Sequence, residues 1–322
     1  MQRLTVVVPA YNESAVLAAF HARLSKVLDA LPLSCDVLYV DDGSRDDTWA
    51  IIQSLAGADA RAGGLKLSRN FGKEAALTAG LDHVDADAAV VIDADLQDPP
   101  ELIAQLVEQW QSGYDVVYAT RSARAGETGL KRFTAAAFYR AMEVMSDVAV
   151  PRDTGDFRLL SRRALAALSQ LRERQRFMKG LFAWIGYRQT SVKYLRDPRL
   201  AGKTKWNYWR LTQFAIEGIT SFSSAPLKLA TWTGLAASVV AFLFGLKVLL
   251  KALFHGDPVH GYPSLMVVIL FLGGIQLLAL GVIGEYLGRN YNESKQRPLY
   301  FIEEEQAPVS RTSFHTQATP RR

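Results

Sequence analysis

Short apolar runs alternate with segments of helical spacing along the first two thirds of the chain. Five apolar runs predict buried β-strands, at residues 4–8, 36–40, 65–67, 88–92 and 115–118. Apolar residues that recur every three to four positions predict helices between them, at residues 13–31, 46–55, 75–84 and 99–110. Continuous apolar strands that alternate with helices are typical of a parallel sheet covered on both faces. The pattern therefore predicts an α/β fold.

Charged residues nearly vanish beyond residue 210. Residues 229–246 contain no charge, and residues 259–284 form a second uncharged stretch. A helix of about 20 residues crosses a hydrocarbon core of roughly 30 Å. Two such stretches joined by a short loop are rare in soluble folds, which disfavours buried helices of a soluble protein. The pattern predicts two transmembrane helices, at 226–253 and 264–287.

The positive charges that flank this hairpin predict its orientation. Basic residues gather before and after it, at Arg196, Arg199, Lys203, Lys205, Arg210, Lys228, Arg289, Lys295 and Arg297. The loop at residues 254–263 has no Lys or Arg. Since cytoplasmic segments carry the excess of Lys and Arg, both termini and the α/β domain are expected in the cytoplasm. Lys247 and Lys251 lie near the loop and oppose this orientation.

These features divide the chain into four parts. The expected parts are an α/β domain at 1–204, an interfacial juxtamembrane helix at 205–225, two transmembrane helices within 226–287 and a cytoplasmic tail at 288–322. The interfacial helix is predicted from aromatic residues beside basic ones, and the last 20 residues are polar and expected to be disordered. Four glycines permit close helix contact and a homo-oligomer: Gly273, Gly274, Gly281 and Gly284.

Composition excludes several classes of protein. Of the 322 residues, 49% are hydrophobic and 21% are charged, which excludes a disordered polymer and a collagen-like fibre. The single cysteine, Cys35, excludes an intramolecular disulfide framework and a Cys-rich zinc site. A net charge of +5 suits nucleic acid, an anionic membrane surface or a phosphorylated substrate, and does not choose between them. Nucleic-acid binding is disfavoured, because the positive residues gather beside the membrane segments.

Polar segments follow three of the predicted strands. They are Tyr11-Asn12-Glu13, Asp41-Asp42 and Asp93-Ala94-Asp95. Ligands of open α/β sheets bind beyond the carboxyl ends of the strands, so we expect the chemistry at these segments. No G-x-G-x-x-G follows the first strand and no G-x-x-x-x-G-K-[ST] occurs, which disfavours a dinucleotide-binding dehydrogenase and a P-loop NTPase.

The acidic residues suggest a metal–nucleotide pocket. Asp93 and Asp95, with Gln97 close by, form an all-oxygen set that suits Mg²⁺ or Mn²⁺. The alternative is a turn whose Asp residues cap a helix. A second acidic pair, Asp41 and Asp42, ends another strand and favours a nucleotide diphosphate, with a carboxylate for the base or ribose and a metal for the pyrophosphate.

Five motifs resemble those of a known family. They are VVVPAYNE at 6–13, VDDGSRDDT at 40–48, SRNFGKEAALTAGL at 68–81, VIDADLQDPP at 91–100 and GDFRLLSR at 155–162. In this order, and followed by a membrane hairpin, they resemble family 2 inverting glycosyltransferases. Within that family they are similar to the polyprenyl-phosphate glycosyltransferases, the group that includes dolichyl-phosphate mannose synthase and bactoprenol glucosyltransferase. The resemblance spans about residues 4–300 and implies a GT-A fold.

The resemblance also implies roles for matching residues. The nucleoside pocket would be lined by Pro9, Tyr11, Glu13, Val40 and Asp42. The diphosphate and its metal would be held by Asp93, Ala94 and Asp95, with Gln97 as a further metal ligand. Phosphate contacts would come from Arg121, Arg199, Lys205 and Arg158. Arg199 and Lys205 match R-x-x-G-x-S-K with Thr204 in place of Ser. Asp156 would lie at the reacting centre, where Asp95 and Arg121 also serve catalysis.

The expected activity is a single displacement with inversion, which moves a hexose to undecaprenyl phosphate at the cytoplasmic face of a bacterial inner membrane. UDP-glucose is the first choice of donor; UDP-4-formamido-arabinose, UDP-N-acetylhexosamine and GDP-mannose are alternatives. A lipid monophosphate has a second pKa of about 6 and is already a nucleophile at neutral pH. Asp156 is therefore either a base or, more simply, an orienting group. A non-catalytic, nucleotide-binding membrane scaffold is the alternative from another class.

Overall fold

The protein is described by a computed structural model that covers residues 2–121, 154–174, 176–194, 225–255 and 261–308. One sheet contains eight strands: β1 (Arg3–Ala10), β2 (Ser34–Asp41), β3 (Ala62–Leu67), β4 (Ala88–Val91), β5 (Val116–Arg121), β6 (Thr154–Ser161), β7 (Gln189–Tyr194) and β8 (Ile302–Gln306). The helices are α1 (Leu17–Asp29), α2 (Thr48–Ala58), α3 (Lys73–Asp82), α4 (Ile103–Gln111), α5 (Arg162–Leu168), α6 (Met178–Trp184), α7 (Ala225–His255) and α8 (Tyr262–Ser294), and a 3₁₀ turn, Pro100–Leu102, precedes α4.

The sheet has the strand order β7-β5-β6-β4-β1-β2-β3-β8. Its centre, β4-β1-β2-β3, is parallel as predicted. The expectation of a wholly parallel sheet is wrong at two places, because β6 lies antiparallel between β4 and β5, and β8 pairs antiparallel with β3. The sequence pattern did not reveal β6, since Asp156 and Arg158 interrupt its apolar run.

Two apolar layers cover the sheet. On one face, Val6 and Val8 of β1 pack in a core with Phe20 and Leu24 of α1. The opposite face buries alternate strand residues beneath α3. Gly80 allows α3 to approach closely, because a Cβ atom at that position would clash with the side chain of Val7. Since alternate strand residues face these two apolar layers, polar side chains are left to the carboxyl ends of β1, β2 and β4.

The predicted hairpin is confirmed as two long helices. α7 has 31 residues and α8 has 33. Each contains a window apolar and long enough to cross a membrane, Ala230–Lys247 and Phe271–Ser294, and neither window is buried within the protein. At a rise of about 1.5 Å per residue α8 is about 50 Å long, so it is longer than a hydrocarbon core of roughly 30 Å.

Residues 295–308, here called the return segment, lead from α8 back to the sheet. The backbone N–H of Ser68 donates to the carbonyl of Phe301 at 2.9 Å, and Lys66 lies 3.1 Å from Glu303 and 3.3 Å from Glu304. The expected disorder is therefore wrong for residues 303–306, which form most of β8. These polar residues form a strand because the edge of β3 provides hydrogen-bonding partners for their backbone groups.

The predicted interfacial helix lies outside the described residues, apart from residue 225 at the start of α7. Near the other end of the hairpin, a carboxylate oxygen of Glu293 in α8 accepts a hydrogen bond from the backbone N–H of Arg174 at 2.6 Å. The final turn of α8 is thus attached to the α/β domain.

Candidate active site

A cavity of about 370 Å³ opens at the carboxyl ends of β1, β2 and β4. Its lining comes from the segments after these strands and from the loop before α3: Pro9, Ala10, Tyr11, Glu13, Asp42, Asn70, Gly72, Lys73, Ala76, Asp93, Ala94 and Asp95. All three polar segments singled out in the sequence therefore meet at one place, and seven of the lining residues match the expected nucleotide site.

The segments after β1 and β2 hold each other in place. The N–H of Asn12 donates to Ser44 Oγ at 2.9 Å, and the N–H of Arg45 donates to Asn12 Oδ1 at 2.9 Å. The N–H of Glu13 donates to Thr48 Oγ1 at 2.9 Å. Asn12 adopts a left-handed φ of 55°, which Asn tolerates better than most residues. These hydrogen bonds hold the segment that contains Tyr11 and Glu13, the residues on either side of Asn12, at the cavity wall.

Asp42 organises the loop that precedes α3. Its two carboxylate oxygens accept hydrogen bonds from the backbone N–H groups of Phe71 at 2.7 Å and Gly72 at 3.0 Å. Burial raises the pKa of Asp42, and the two N–H groups act in the opposite direction. Asp42 therefore lines the cavity and fixes the loop at the same time.

The acidic motif after β4 places two carboxylates at the cavity, from Asp93 and Asp95. Asp95 Oδ1 accepts a hydrogen bond from the N–H of Gln97 at 3.1 Å, and Leu96 between them has a left-handed φ of 58°. Gln97 is not part of the cavity lining. The tight turn thus holds both carboxylates near the end of β4.

The ligands available for a metal are carboxylate oxygens, which suit Mg²⁺ or Mn²⁺. Among the residues that the structure describes, no three His, Cys, Asp or Glu side chains form a metal cluster. A divalent cation at Asp93 and Asp95 would therefore complete its coordination with water and substrate oxygens, as Mg²⁺ commonly does. The residues fit a cation that arrives together with a phosphorylated substrate.

Lys73 joins the acidic motif to Asp156. Its Nζ atom lies 2.7 Å from Asp93 Oδ1, 2.8 Å from Asp93 Oδ2 and 2.5 Å from Asp156 Oδ2. Only Oδ2 of Asp93 accepts a hydrogen bond in good geometry, so its buried Oδ1 has no hydrogen-bond partner. Sequence reasoning missed Lys73, although it lies in the FGKE stretch of a recognised motif.

Further charged groups surround Asp156. Burial raises the pKa of Asp156, but the positive charges of Lys73 and Lys179 outweigh it and hold the pKa well below its usual range. Burial, and then the negative charge of Asp156, raise the pKa of Glu74 to about 7. Burial lowers the pKa of Lys179. Glu74 and Lys179 also escaped the sequence analysis, because α3 and α6 bring them here from separate parts of the chain.

Two expected site residues are instead buried in the protein. Val40 belongs to the core on the α3 side of the sheet and has no exposed surface. The guanidinium of Arg158 lies 3.9 Å from the ring centre of Phe182 and donates to the carbonyl of Gly155 at 2.8 Å. Arg158 is 4% exposed and is not part of the cavity lining. The contacts of its guanidinium are therefore with the protein itself, the ring of Phe182 and the carbonyl of Gly155.

Three other expected residues lie at or beyond the limit of the described chain. Arg121 ends β5, where its backbone is opposite Tyr194, and its side chain is outside the described atoms. Arg199 and Lys205 fall within residues 195–224, outside the described residues. Their phosphate contacts stay predictions from the sequence.

Two family models match this chain. Glycosyl transferase family 2 matches residues 5–169, and the GtrB C-terminal hairpin matches residues 225–289. An uncharacterized glycosyltransferase from Synechocystis sp. is 52% identical over 299 residues, which cover 93% of this chain and 94% of that protein. Bactoprenol glucosyl transferase from Shigella phage SfV is 45% identical over 303 residues, 94% of this chain and 99% of that protein.

Among solved structures, glucosyl-3-phosphoglycerate synthase from Mycobacterium tuberculosis, in complex with Mn²⁺, UDP and phosphoglyceric acid, is similar with a TM-score of 0.47. The two chains are 21% identical, and the match covers 68% of this chain and 76% of that one.

Proposed function

Because this chain belongs to glycosyl transferase family 2, we propose that it transfers a hexose from a nucleotide sugar to a polyprenyl phosphate. The specific proposal is glucose from UDP-glucose to undecaprenyl phosphate, with inversion, at the cytoplasmic face of a bacterial inner membrane. One observation carries it. A cavity lined by two carboxylates, Asp93 and Asp95, lies in a domain attached to an apolar helical hairpin.

The donor half of the cavity suits a nucleoside diphosphate. Tyr11 offers an aromatic surface at the wall and is 36% exposed. Glu13 and Asp42 place acceptor oxygens in the same wall, where ribose hydroxyls or base N–H groups can donate to them. Asp93 and Asp95 line the same cavity, and we propose that the diphosphate extends toward them from the nucleoside.

Charge is the main obstacle to this reaction, because the donor diphosphate and the acceptor phosphate are both anions. A divalent cation bound at Asp93 and Asp95, Mg²⁺ or Mn²⁺, would screen the diphosphate and stabilise the departing nucleotide. Arg121, Arg199 and Lys205 are proposed to add positive charge around the two phosphates. Lys73 adds a further ammonium at the same end of the cavity.

Asp156 is proposed to orient the reacting groups. The acceptor phosphate has a second pKa of about 6 and needs no base at neutral pH. The low pKa of Asp156, in turn, makes its carboxylate a weak base. Its carboxylate lies 2.5 Å from Lys73 Nζ, which lines the cavity, and is proposed to stabilise positive charge that develops at the anomeric carbon.

The apolar hairpin is proposed to hold the cavity at the membrane surface. Its exposed apolar side chains suit lipid tails, and the basic residues around it suit anionic headgroups on the cytoplasmic side. The proposed arrangement is multi-pass, with the domain and both termini in the cytoplasm. Arg199 and Lys205 would then meet the phosphate of a polyprenyl lipid at headgroup depth.

A donor screen tests the function. The purified full-length protein is incubated with undecaprenyl phosphate, Mg²⁺ or Mn²⁺, and each radiolabelled sugar nucleotide, and the lipid fraction is separated by chromatography. UDP-glucose is expected to give a labelled lipid that mild acid hydrolyses to glucose. If only another donor gives a labelled lipid, the sugar of that donor replaces glucose in the proposal. No labelled lipid from UDP-glucose, UDP-N-acetylhexosamine, UDP-4-formamido-arabinose or GDP-mannose would refute it.

A further inference from the structure

Lys73 occupies a position in a helix that disfavours a cation. It is the first residue of α3, where the aligned peptide dipoles create positive potential and acidic side chains are the stabilising choice. The preceding Gly72 has a φ of 97°, in the region that favours glycine, and its N–H is held by Asp42. The backbone thus holds Lys73 at the cavity although the start of the helix disfavours a positive charge. Its carboxylate partners must therefore compensate for this unfavourable interaction.

Those partners are two carboxylates that would otherwise repel each other. The pairing of β4 with β6 ends at Val91 and Arg158, and two residues beyond Val91 the carboxylate of Asp93 shares the ammonium of Lys73 with Asp156. Two carboxylates so close together repel each other unless a positive charge lies between them. The ammonium of Lys73 lies within 2.8 Å of both carboxylates. It therefore supplies positive charge to the same carboxylate, Asp93, that would bind a metal.

We propose that Lys73 is the resident cation of the donor-free site and competes with the divalent metal for Asp93. When the metal and nucleotide sugar bind, Lys73 leaves Asp93, turns to a phosphate oxygen and stays beside Asp156. This inference rests on the proposed function, since it takes a metal and a nucleotide diphosphate as ligands. The side chain of Lys73 is 43% exposed and lines the cavity, so the ammonium has room to move.

If Lys73 competes with the metal, removing its charge should strengthen metal binding. In full-length protein without nucleotide, Lys73→Gln is expected to bind Mn²⁺ about tenfold more tightly than the unsubstituted protein, the scale of one charge-assisted contact. Lys73→Arg keeps the charge and is expected to leave the affinity for Mn²⁺ unchanged. Free Mn²⁺ is measured by electron paramagnetic resonance. Lys66→Gln is the matched control, because Lys66 also lies between two carboxylates, Glu303 and Glu304, but outside the cavity.

Unchanged or weaker Mn²⁺ binding by a folded Lys73→Gln variant overturns the inference, and so does the absence of Mn²⁺ binding by every variant. If Lys73→Gln does not fold, the unsubstituted protein is tested after reductive ¹³C-methylation of its lysines, which keeps their charge. The methyl resonance that is missing in Lys73→Arg is expected to shift when Mg²⁺ and UDP are added. An unmoved resonance in a sample that binds UDP overturns the inference.

The two proposals fail in different ways. The Mn²⁺ titration without nucleotide does not depend on a sugar or a lipid acceptor. A failed donor screen refutes the transfer reaction, while the Mn²⁺ affinities of the Lys73 variants decide the competition.

Discussion

The carboxylate of Asp42 accepts a hydrogen bond at 3.0 Å from the backbone N–H of Gly72, which lies 30 residues further along the chain. The N–H of Phe71 donates to the other oxygen at 2.7 Å. The end of β2 thereby fixes the loop that leads into α3 and brings Lys73 to the cavity. The cavity wall at Asp42 and the charged group around Lys73 are thus joined through one buried carboxylate.

Replacing Asp42 by Asn is expected to loosen this loop. The amide offers one acceptor and presents an NH₂ group to a backbone N–H, so one donor loses its partner. We expect the free energy of unfolding to fall by about 1–3 kcal/mol and the affinity for UDP to fall about tenfold. Calorimetric titration with UDP and urea unfolding measure the two effects. The exposed Asp47→Asn is the control, and UDP affinity equal to that of the unsubstituted protein would contradict the role of Asp42.

Replacing Asp95 by Asn is expected to lower glycosyl transfer about 100-fold, the upper scale of one lost charge-assisted contact, with no change in folding. The substitution removes a carboxylate charge from the cavity but keeps the oxygen that accepts from Gln97. Initial rates and thermal unfolding midpoints are compared with those of Asp85→Asn, which changes a surface carboxylate that is 66% exposed. Turnover near that of the control, or full activity in excess chelator, would exclude a metal at this motif.

Glu74 is expected to make stability depend on pH. Burial and Asp156 raise its pKa from 4.5 to about 7, so the folded state holds more protons than the unfolded state between these values. The free energy of unfolding therefore falls as the pH rises from about 4.5 to 7, by less than about 1.4 kcal/mol per pH unit for one proton. Glu74→Gln should flatten this slope in urea unfolding, while the exposed Glu108→Gln should not. Parallel curves for both variants would contradict the shift.

The return segment is expected to protect the edge of the sheet. Deleting residues 301–322 removes β8 and exposes the hydrogen-bonding groups of β3, and such an edge promotes aggregation. We expect the thermal unfolding midpoint to fall by roughly 5 °C or more, with aggregates in size-exclusion chromatography. Deleting only residues 309–322 keeps β8 and serves as the control. Equal stability of the two truncated proteins would show that β8 does not support the sheet.

The orientation of the hairpin is tested with single cysteines. The native Cys35 is buried, and burial raises the pKa of its thiol to about 11, so it reacts slowly. Gly261→Cys, between α7 and α8, is expected to react with an impermeant maleimide added to intact cells. Glu305→Cys is expected to react only after the membrane is permeabilised. The reverse pattern would mean that Lys247 and Lys251 determine the orientation.

The sequence by itself determined the parallel centre of the sheet, the helices that cover it and the apolar hairpin. Apolar runs and helical spacing are local signals, and they predicted β1 through β5 to within a few residues at most ends. The position of Asp93 and Asp95 was also predictable, because an acidic motif directly after a buried strand must lie at the carboxyl edge of the sheet.

Only the tertiary structure decided which strands are neighbours at the two sides of this centre. β6 inserts between β4 and β5, and β8 returns from beyond the hairpin to β3. Both strands contain charged residues, so neither has the apolar run by which a buried strand is predicted. Their pairing depends on partners at least 34 residues away along the chain, the separation of Thr120 and Thr154, and no local pattern specifies that choice.

For the charged residues of the site too, the sequence predicted some features and only the fold decided others. The sequence supplied Asp93 and Asp156 as candidate residues, but it also suggested Arg158, which packs against Phe182 instead. Lys73 became visible only when α3 and the β4–β6 pair brought its ammonium between two carboxylates. The residue type and its motif limit the chemistry that a side chain can perform. The fold sets its burial and its partners, and these decide whether its charge contacts a ligand or another residue.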